Sequence, residues 1–206
     1  MAGERAIRAF FALELGDEAR RRAVAAVRAL REAPGGGDVR WVRGETLHVT
    51  LRFLGSTDPG LVPGLVRAVE AEARAVAPFR LALGALDVFP ARRPRVVALA
   101  LEPAEPVTAL AAAVERGVVA AGAAPEERAF RPHVTLGRAQ RDRRVPRDAE
   151  LDAESLRGVT ASVTALGEAW DVVEIVLFRS DLSREGPRYT PLERVPLGAP
   201  GGPLHP

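Results

Sequence analysis

The chain has 206 residues, 47% hydrophobic and 27% charged, a balance that suits a globular domain with a real core and excludes a disordered chain. The formal net charge is only +2, and all 29 basic residues are arginine, so Schiff-base lysine chemistry and a Walker-type phosphate lysine are excluded. Cysteine is absent, which removes disulfides, thiolate metal sites and cysteine nucleophiles together. The isoelectric point near 10.2 reflects arginine, which keeps its charge far above neutral pH, more than any excess of positive charge at pH 7. No apolar run approaches the ~20 residues of a membrane helix. The opening MAGERAIRAFFALEL carries acidic residues on both sides of a short apolar stretch, unlike a signal peptide. A cytoplasmic protein with no membrane contact is expected.

In chain order, residues 6–15 read as a strand. Asp17 is placed to cap an amphipathic helix over 17–33, whose apolar positions Val24, Val27 and Leu30 recur at helical spacing. Pro34 and the glycines that follow end it. A second strand covers 46–55. Asp58-Pro59 opens a second helix reaching about Ala77, with Pro63 pointing to a later start. Strands are expected over 79–89 and 95–102, a third helix over 105–121, and a strand over 129–138. An Arg/Asp-rich stretch, 139–157, reads as a solvated loop with a short helix. Two strands, 171–182 and 188–197, close the fold. Residues 1–197 are expected to form one domain, with a disordered Gly/Pro tail over 198–206. About seven strands and three or four helices in this order suit an α+β fold with antiparallel sheets backed by helices.

The chain has three histidines, and His205 lies in the tail. The other two share a sequence: Leu47-His48-Val49-Thr50-Leu51 is echoed by Pro132-His133-Val134-Thr135-Leu136. Strand side chains alternate between faces. Leu47, Val49, Leu51 and Phe53 are therefore expected in a core, with His48, Thr50 and Arg52 on the opposite face. Val134 and Leu136 likewise point inward, and His133 and Thr135 outward. Each strand displays an imidazole beside a hydroxyl on a face that is not core. A metal site would need three or four ligands, and no His-Glu-x-x-His or His-x-His spacing occurs. No Gly-x-Ser-x-Gly elbow supports a serine hydrolase. Phosphoester cleavage fits better: one imidazole deprotonates the attacking oxygen and the other protonates the departing one. Hydroxyls and arginines then hold the phosphate oxygens. No cofactor and no metal is called for.

Paired His-x-Thr motifs resemble those of the two-histidine (2H) phosphoesterase superfamily. Within it, the chain is similar to the RNA 2′,3′-cyclic phosphodiesterases, also called 2′–5′ RNA ligases. The likeness runs over about 5–197. It includes Arg8-Ala9-Phe10-Phe11-Ala12-Leu13, the stretch Trp41 to Gly55, Phe130 to Arg138, and Leu177 to Leu182 followed by Arg188-Tyr189. Arg43 departs from the pattern, where proline is common.

The resemblance implies a bilobal fold, with two antiparallel sheets flanking a central cleft, helices on the outer faces and a pseudo-twofold between the lobes. It implies an RNA or nucleotide end bearing a 2′,3′-cyclic phosphate as substrate, opened to a 2′-phosphomonoester, with weak reverse ligation, in a protein expected to be a monomer. It implies His48 as general acid and His133 as general base, a choice that the symmetric motifs themselves leave open. Thr50 and Thr135 are expected to hold non-bridging oxygens. Arg138 is a further phosphate contact if the strand bends at Gly137, since strict alternation puts it on the wrong face. Arg52 is a second candidate by parity, and Phe11 a candidate for stacking on a nucleobase. Two other readings stay open: a 2H enzyme for another small cyclic phosphate or nucleotide, and a non-catalytic nucleotide-binding module.

Overall fold

Strand-forming runs of Val, Leu, Phe and Ala pair into two antiparallel sheets, joined by helices whose apolar stripes cover them. The computed structural model describes residues 5–33, 36–90, 95–139, 168–183 and 186–198. Within these, the order is β1 (Ile7–Glu14), α1 (Asp17–Glu32), β2 (Val39–Trp41), β3 (His48–Thr57), α2 (Val62–Ala73), β4 (Phe79–Phe89), β5 (Val96–Glu102), α3 (Ala104–Ala120), β6 (His133–Ala139), β7 (Trp170–Val172), β8 (Glu174–Ser183) and β9 (Gly186–Pro196). Single 3-10 turns precede β2, β3 and α2. The first sheet runs β3-β1-β8-β9 and the second β2-β6-β5-β4-β7. Each His-Val-Thr strand therefore belongs to a different sheet, as the bilobal expectation requires.

The helices form for local reasons. Asp17 is not the cap of α1: Gly16 occupies that position without a side-chain bond, and Asp17 and Glu18 lie in the first turn, where acidic groups complement the helix dipole. The buried stripe of α1 is Ala19, Ala23, Ala26, Val27 and Leu30, whereas Val24 is exposed. Asp58 does cap, its carboxylate accepting the Gly60 N–H at 2.9 Å, but what it caps is the 3-10 turn Pro59–Leu61. The helix proper then begins at Val62 and ends at Ala73, four residues short of the expected end. In α3 the inward positions Val107, Leu110, Ala111, Val114 and Val118 follow the helical repeat. Gly117 lets α2 and α3 approach closely, since a Cβ there would stand 2.7 Å from the Val69 Cα.

The core side of both sheets joins one cluster. Phe11, Leu13, Val49, Ile175 and Leu177 of the first sheet, and Leu81, Leu99, Val134 and Leu136 of the second, pack with the helix stripes, all nearly inaccessible. Burying each such side chain contributes on the order of 1.5–3 kcal/mol. Helices α2 and α3 pack against one another and on β9 and β3, while α1 lies against β2 and β6. The opposite face of the first sheet carries a second, smaller cluster of Phe10, Ala12, Val176 and Phe178 with Tyr189.

Several boundaries differ from expectation. The short edge strand β2 was not foreseen, because three residues hold no readable period. The expected strand 171–182 is two strands in different sheets. Val172 pairs with Phe79 in the second sheet, Glu174 pairs with Pro196 in the first, and the chain crosses between them at the exposed Val173. Strand β6 begins only at His133, and Gly198 is bonded to the Val76 carbonyl at 2.9 Å rather than lying in a free tail. The loop expected beyond Ala139, and the tail beyond Gly198, fall outside the described residues.

Candidate active site

The two histidine strands share one irregularity that decides which side chains reach the cleft. In β3, Thr50 pairs with Ala12 and Arg52 with Phe11, so Leu51 has no partner. In β6, Thr135 pairs with Ala98 and Gly137 with Val97, so Leu136 has no partner. Each strand thus carries a bulge three residues after its histidine. A bulge reverses the alternation beyond it and re-aims the next side chains.

In β6 the reversal brings Arg138 onto the face of His133 and Thr135, opposite Val96, Ala98 and Ala100. Gly137 turns to the other face, where Val39 and Trp41 lie on it; a Cβ there would meet the Val39 Cγ1 at 2.5 Å. Trp41 is held there by its indole N–H, which donates to the Gly36 carbonyl at 2.9 Å. In β3 the same reversal turns Arg52 away from the cleft. Its guanidinium pairs with Glu115 of α3 and donates to the carbonyls of Phe53 and Ala124. The expectation that parity sets Arg52 beside His48 is therefore corrected: its donors are taken up by α3, its own strand and the segment after α3. Phe11 is corrected as well. It is fully buried in the main core on the far face of β1 and offers no surface to a base. Phe10, its neighbour, faces the cleft, and Phe53, expected in the core, pairs with it across the strands and is 53% exposed.

The two imidazoles are held in the same way. His48 Nδ1–H donates to the Thr46 carbonyl at 2.8 Å, and Nε2 meets the Thr50 hydroxyl at 2.9 Å. His133 Nδ1–H donates to the Arg131 carbonyl at 2.7 Å, and Nε2 meets the Thr135 hydroxyl at 3.1 Å. Because the Nδ1 partner is a carbonyl, the proton of the neutral ring sits on Nδ1 and the lone pair on Nε2. The carbonyl acceptor of His48 is itself anchored. Thr46 donates its hydroxyl and its N–H to the Arg43 carbonyl, and Arg20 of α1 donates to the carbonyls of Gly44 and Leu47 at 2.9 and 3.3 Å.

Beyond these bonds the surroundings differ. His48 packs against the rings of Phe10 at 4.9 Å and Tyr189 at 5.2 Å between centroids. His133 meets the edge of Phe89 at 5.1 Å; Arg131 lies over the same Phe89 ring at 4.4 Å and pairs with Asp87. Burial holds the His48 imidazolium pKa down at about 4; the Thr46 carbonyl opposes the shift, while His133, Arg138 and Arg20 add to it. Burial also lowers His133, against its bond to the Arg131 carbonyl, with Arg138 and Arg131 adding and Asp87 opposing. Burial raises the Tyr189 phenol, and Arg138 counters it. Arg138 thus acts on both imidazoles and on Tyr189, while its side chain makes no hydrogen bond or ion pair with the described residues. Arg138 is exposed, on the face of β6 that carries His133 and Thr135. Among the described residues no three His, Asp or Glu side chains gather as metal ligands, and no helix is long and apolar enough to cross a membrane.

Phe10, Tyr189 and Phe89 were absent from the sequence-based site. Strand β1 is buried on both faces, so alternation alone does not say whether Phe10 or Phe11 faces the cleft. Tyr189 and Phe89 reach the histidines only through sheet pairing.

A family model for the 2'-5' RNA ligase superfamily matches residues 16–183. The chain is 33% identical over 189 residues to an RNA 2',3'-cyclic phosphodiesterase of Methanothermobacter thermautotrophicus, covering 91% of this chain and 97% of that one. It is 34% identical over 164 residues to one of Geobacillus stearothermophilus, where the match covers 79% of this chain but spans only 49% of that protein's length. In structure it is similar to the protein TT0787 of Thermus thermophilus, with a TM-score of 0.72 and 30% identity over 94% of this chain and 99% of that one. It is also similar to Escherichia coli LigT complexed with 3'-AMP, with a TM-score of 0.66 and 28% identity over 93% and 98% of the two chains. The paired His-x-Thr strands, one in each antiparallel sheet, and these matches give one answer: the chain belongs to the 2'-5' RNA ligase superfamily.

Proposed function

We propose that this protein hydrolyses RNA 2′,3′-cyclic phosphate ends to 2′-phosphomonoesters, with His48 and His133 as the acid–base pair. The observation that carries the mechanism is the matched pair of imidazoles, each locked through Nδ1 to a backbone carbonyl with its Nε2 beside a threonine hydroxyl. The relatives named RNA 2',3'-cyclic phosphodiesterase support the substrate and the class, a phosphoric diester hydrolase.

In the reaction, water attacks phosphorus on the side opposite O3′. His133 Nε2 takes the proton from water as the new P–O bond forms. His48 Nε2–H gives its proton to O3′ as the P–O3′ bond breaks. One proton has then moved from water to His133 and another from His48 to O3′, leaving His133 protonated and His48 neutral, and exchange with solvent restores the pair. The negative charge that builds on the non-bridging oxygens is met by Arg138 and by the hydroxyls of Thr50 and Thr135. A His48 pKa near 4 means that burial alone resists the acid's proton. A bound phosphate anion reverses that, because an opposite charge nearby favours the imidazolium. Ligation to a 2′–5′ bond is the reverse step with an RNA hydroxyl in place of water, and abundant water and the strained ring make it minor.

On this reading the enzyme needs no metal and no cofactor and works as a monomer in the cytoplasm. The experiment is incubation of an RNA ending in a 2′,3′-cyclic phosphate, with and without excess EDTA, followed by location of the product phosphate. A 2′-phosphate formed at equal rates in both is expected. A 3′-phosphate product would reverse the leaving oxygen, and activity lost in EDTA and restored by a divalent metal would sink the two-histidine mechanism.

A further inference from the structure

We infer that Arg43 and Arg131 are positioning residues, one for each imidazole. Each ties the segment that holds its histidine's Nδ1–H to the strand whose aromatic ring stands edge-on against that histidine. On the His48 side, the Arg43 carbonyl accepts the Thr46 N–H and hydroxyl, and the Thr46 carbonyl accepts His48 Nδ1–H. The Arg43 guanidinium reaches the other way, donating through Nη2 to the Pro187 carbonyl of β9 at 2.9 Å. Two residues past Pro187, Tyr189 stands at 88° to the His48 ring. On the His133 side, the Arg131 carbonyl itself accepts Nδ1–H, and the Arg131 guanidinium pairs with Asp87 of β4. Two residues past Asp87, Phe89 stands at 83° to the His133 ring. The residues differ, yet the plan repeats: an arginine, its anchor, and an edge-on ring two positions beyond the anchor.

Neither tie adds much to global stability. The Arg43 side chain is 44% exposed and that of Arg131 53%, and interactions between exposed charged groups are weak. Their effect is local. Residues two apart on a strand share a face, so holding Asp87 also holds Phe89, and holding Pro187 also holds Tyr189. Arg131 adds to this by lying over the Phe89 ring at 4.4 Å. With its acceptor and its ring both fixed, each imidazole is kept in one orientation and screened from water on that side. The charges that weigh on His48 are His133 and Arg138 of β6 and Arg20 of α1; Tyr189 of β9 packs on it, and Glu14 of β1, opposite it, is paired with Arg194. Loss of Arg43 therefore reaches His48 through position and hydration. The charges that weigh on His133 are Arg138, Arg131 and Asp87. The Asp87 carboxylate holds the His133 pKa up, so loss of its charge alone would lower that pKa, whereas release of the tie and entry of water would raise it. The kinetic consequence rests on the acid–base reading above; the placement of the rings does not.

The test follows both imidazole titrations by NMR in the substrate-free protein, and kcat and KM on a cyclic-phosphate RNA end, for wild type, Arg43→Ala, Arg131→Ala and Asp87→Ala. Arg43→Ala should move the His48 titration upward by about one pH unit, toward the ordinary range, and leave that of His133 in place. Arg131→Ala and Asp87→Ala should both raise the His133 titration and leave that of His48 in place. Each variant should lose on the order of 10–100-fold in kcat with KM within a few-fold, the scale of a catalytic group held slightly out of place. Unmoved titrations, both histidines shifting together, or a fall of the His133 titration in Asp87→Ala would overturn the positioning role, as would full kcat in all three variants. Wild type that opens no cyclic end would overturn the acid–base reading instead, while the titrations still decide whether the two ties hold the rings.

Discussion

The His48 half and the His133 half of the cleft have the same hydrogen-bond frame and different surroundings. Both rings give Nδ1–H to the carbonyl two residues back and turn Nε2 beside a threonine hydroxyl two residues ahead. His48, however, sits between Phe10 and Tyr189, and His133 beside Phe89 with Asp87 and Arg131 at hand. The repeated motif sets the geometry of two interchangeable groups. The residues that do not repeat help set how readily each holds a proton.

Removing either member breaks the comparison most severely. His48→Ala and His133→Ala should each lose on the order of 10²–10⁴ in kcat on a cyclic-phosphate RNA end, the usual worth of a positioned acid or base, with much smaller changes in RNA binding. Near-wild-type turnover by either variant in a single-turnover assay would remove that histidine from the mechanism.

The arginines sharpen it. Arg138→Ala should lower kcat/KM roughly 10–100-fold, the scale of one hydrogen bond to a charged group, with little change in thermal stability. Arg52→Ala should do the opposite. It leaves Glu115 without its arginine partner, with only the Glu126 N–H still donating to it, and should cost about 1–3 kcal/mol in denaturant unfolding while the folded fraction keeps its rate. The reverse pattern would mean that the two bulges do not re-aim these side chains as described.

A third test uses pH. A folded His48 pKa near 4 against about 6.5 in the unfolded chain means the unfolded state binds more protons between those values. Its effect on stability is absent above about pH 6.5. The destabilisation grows as pH falls toward 4 and levels off below, reaching about 3 kcal/mol. His133 adds an effect of the same sign. His48→Gln should flatten the fall in urea-unfolding free energy over this window, and an unchanged slope would contradict the buried, uncharged imidazole. In kinetics, kcat/KM should follow a bell whose flanks lie below the ordinary histidine range, and kcat a bell shifted upward by the bound phosphate.

The histidines and threonines were legible in the sequence because each pair lies two residues apart, short of any bulge, where alternation holds. Beyond the bulge it fails. Arg52 and Phe53 were misassigned because the unpaired residue in β3 is defined by its neighbour β1, and local sequence carries no sign of it. Phe11 was misassigned because β1 is apolar on both faces. In β6 a glycine marked the spot, and Arg138 was placed in the cleft for that reason. The division of 171–182 was hidden similarly: the stretch reads as one strand, and only the two sheets competing for its ends break it at Val173.

The assignment of His48 as acid and His133 as base is tested most directly by changing the leaving group. A nitrophenyl phosphodiester bound in the same orientation departs with little need of a proton. The account predicts that this substrate restores His48→Ala toward wild-type rate and leaves His133→Ala impaired, because activation of water is still missing. Restoration of His133→Ala with His48→Ala still impaired would show the roles reversed and contradict it.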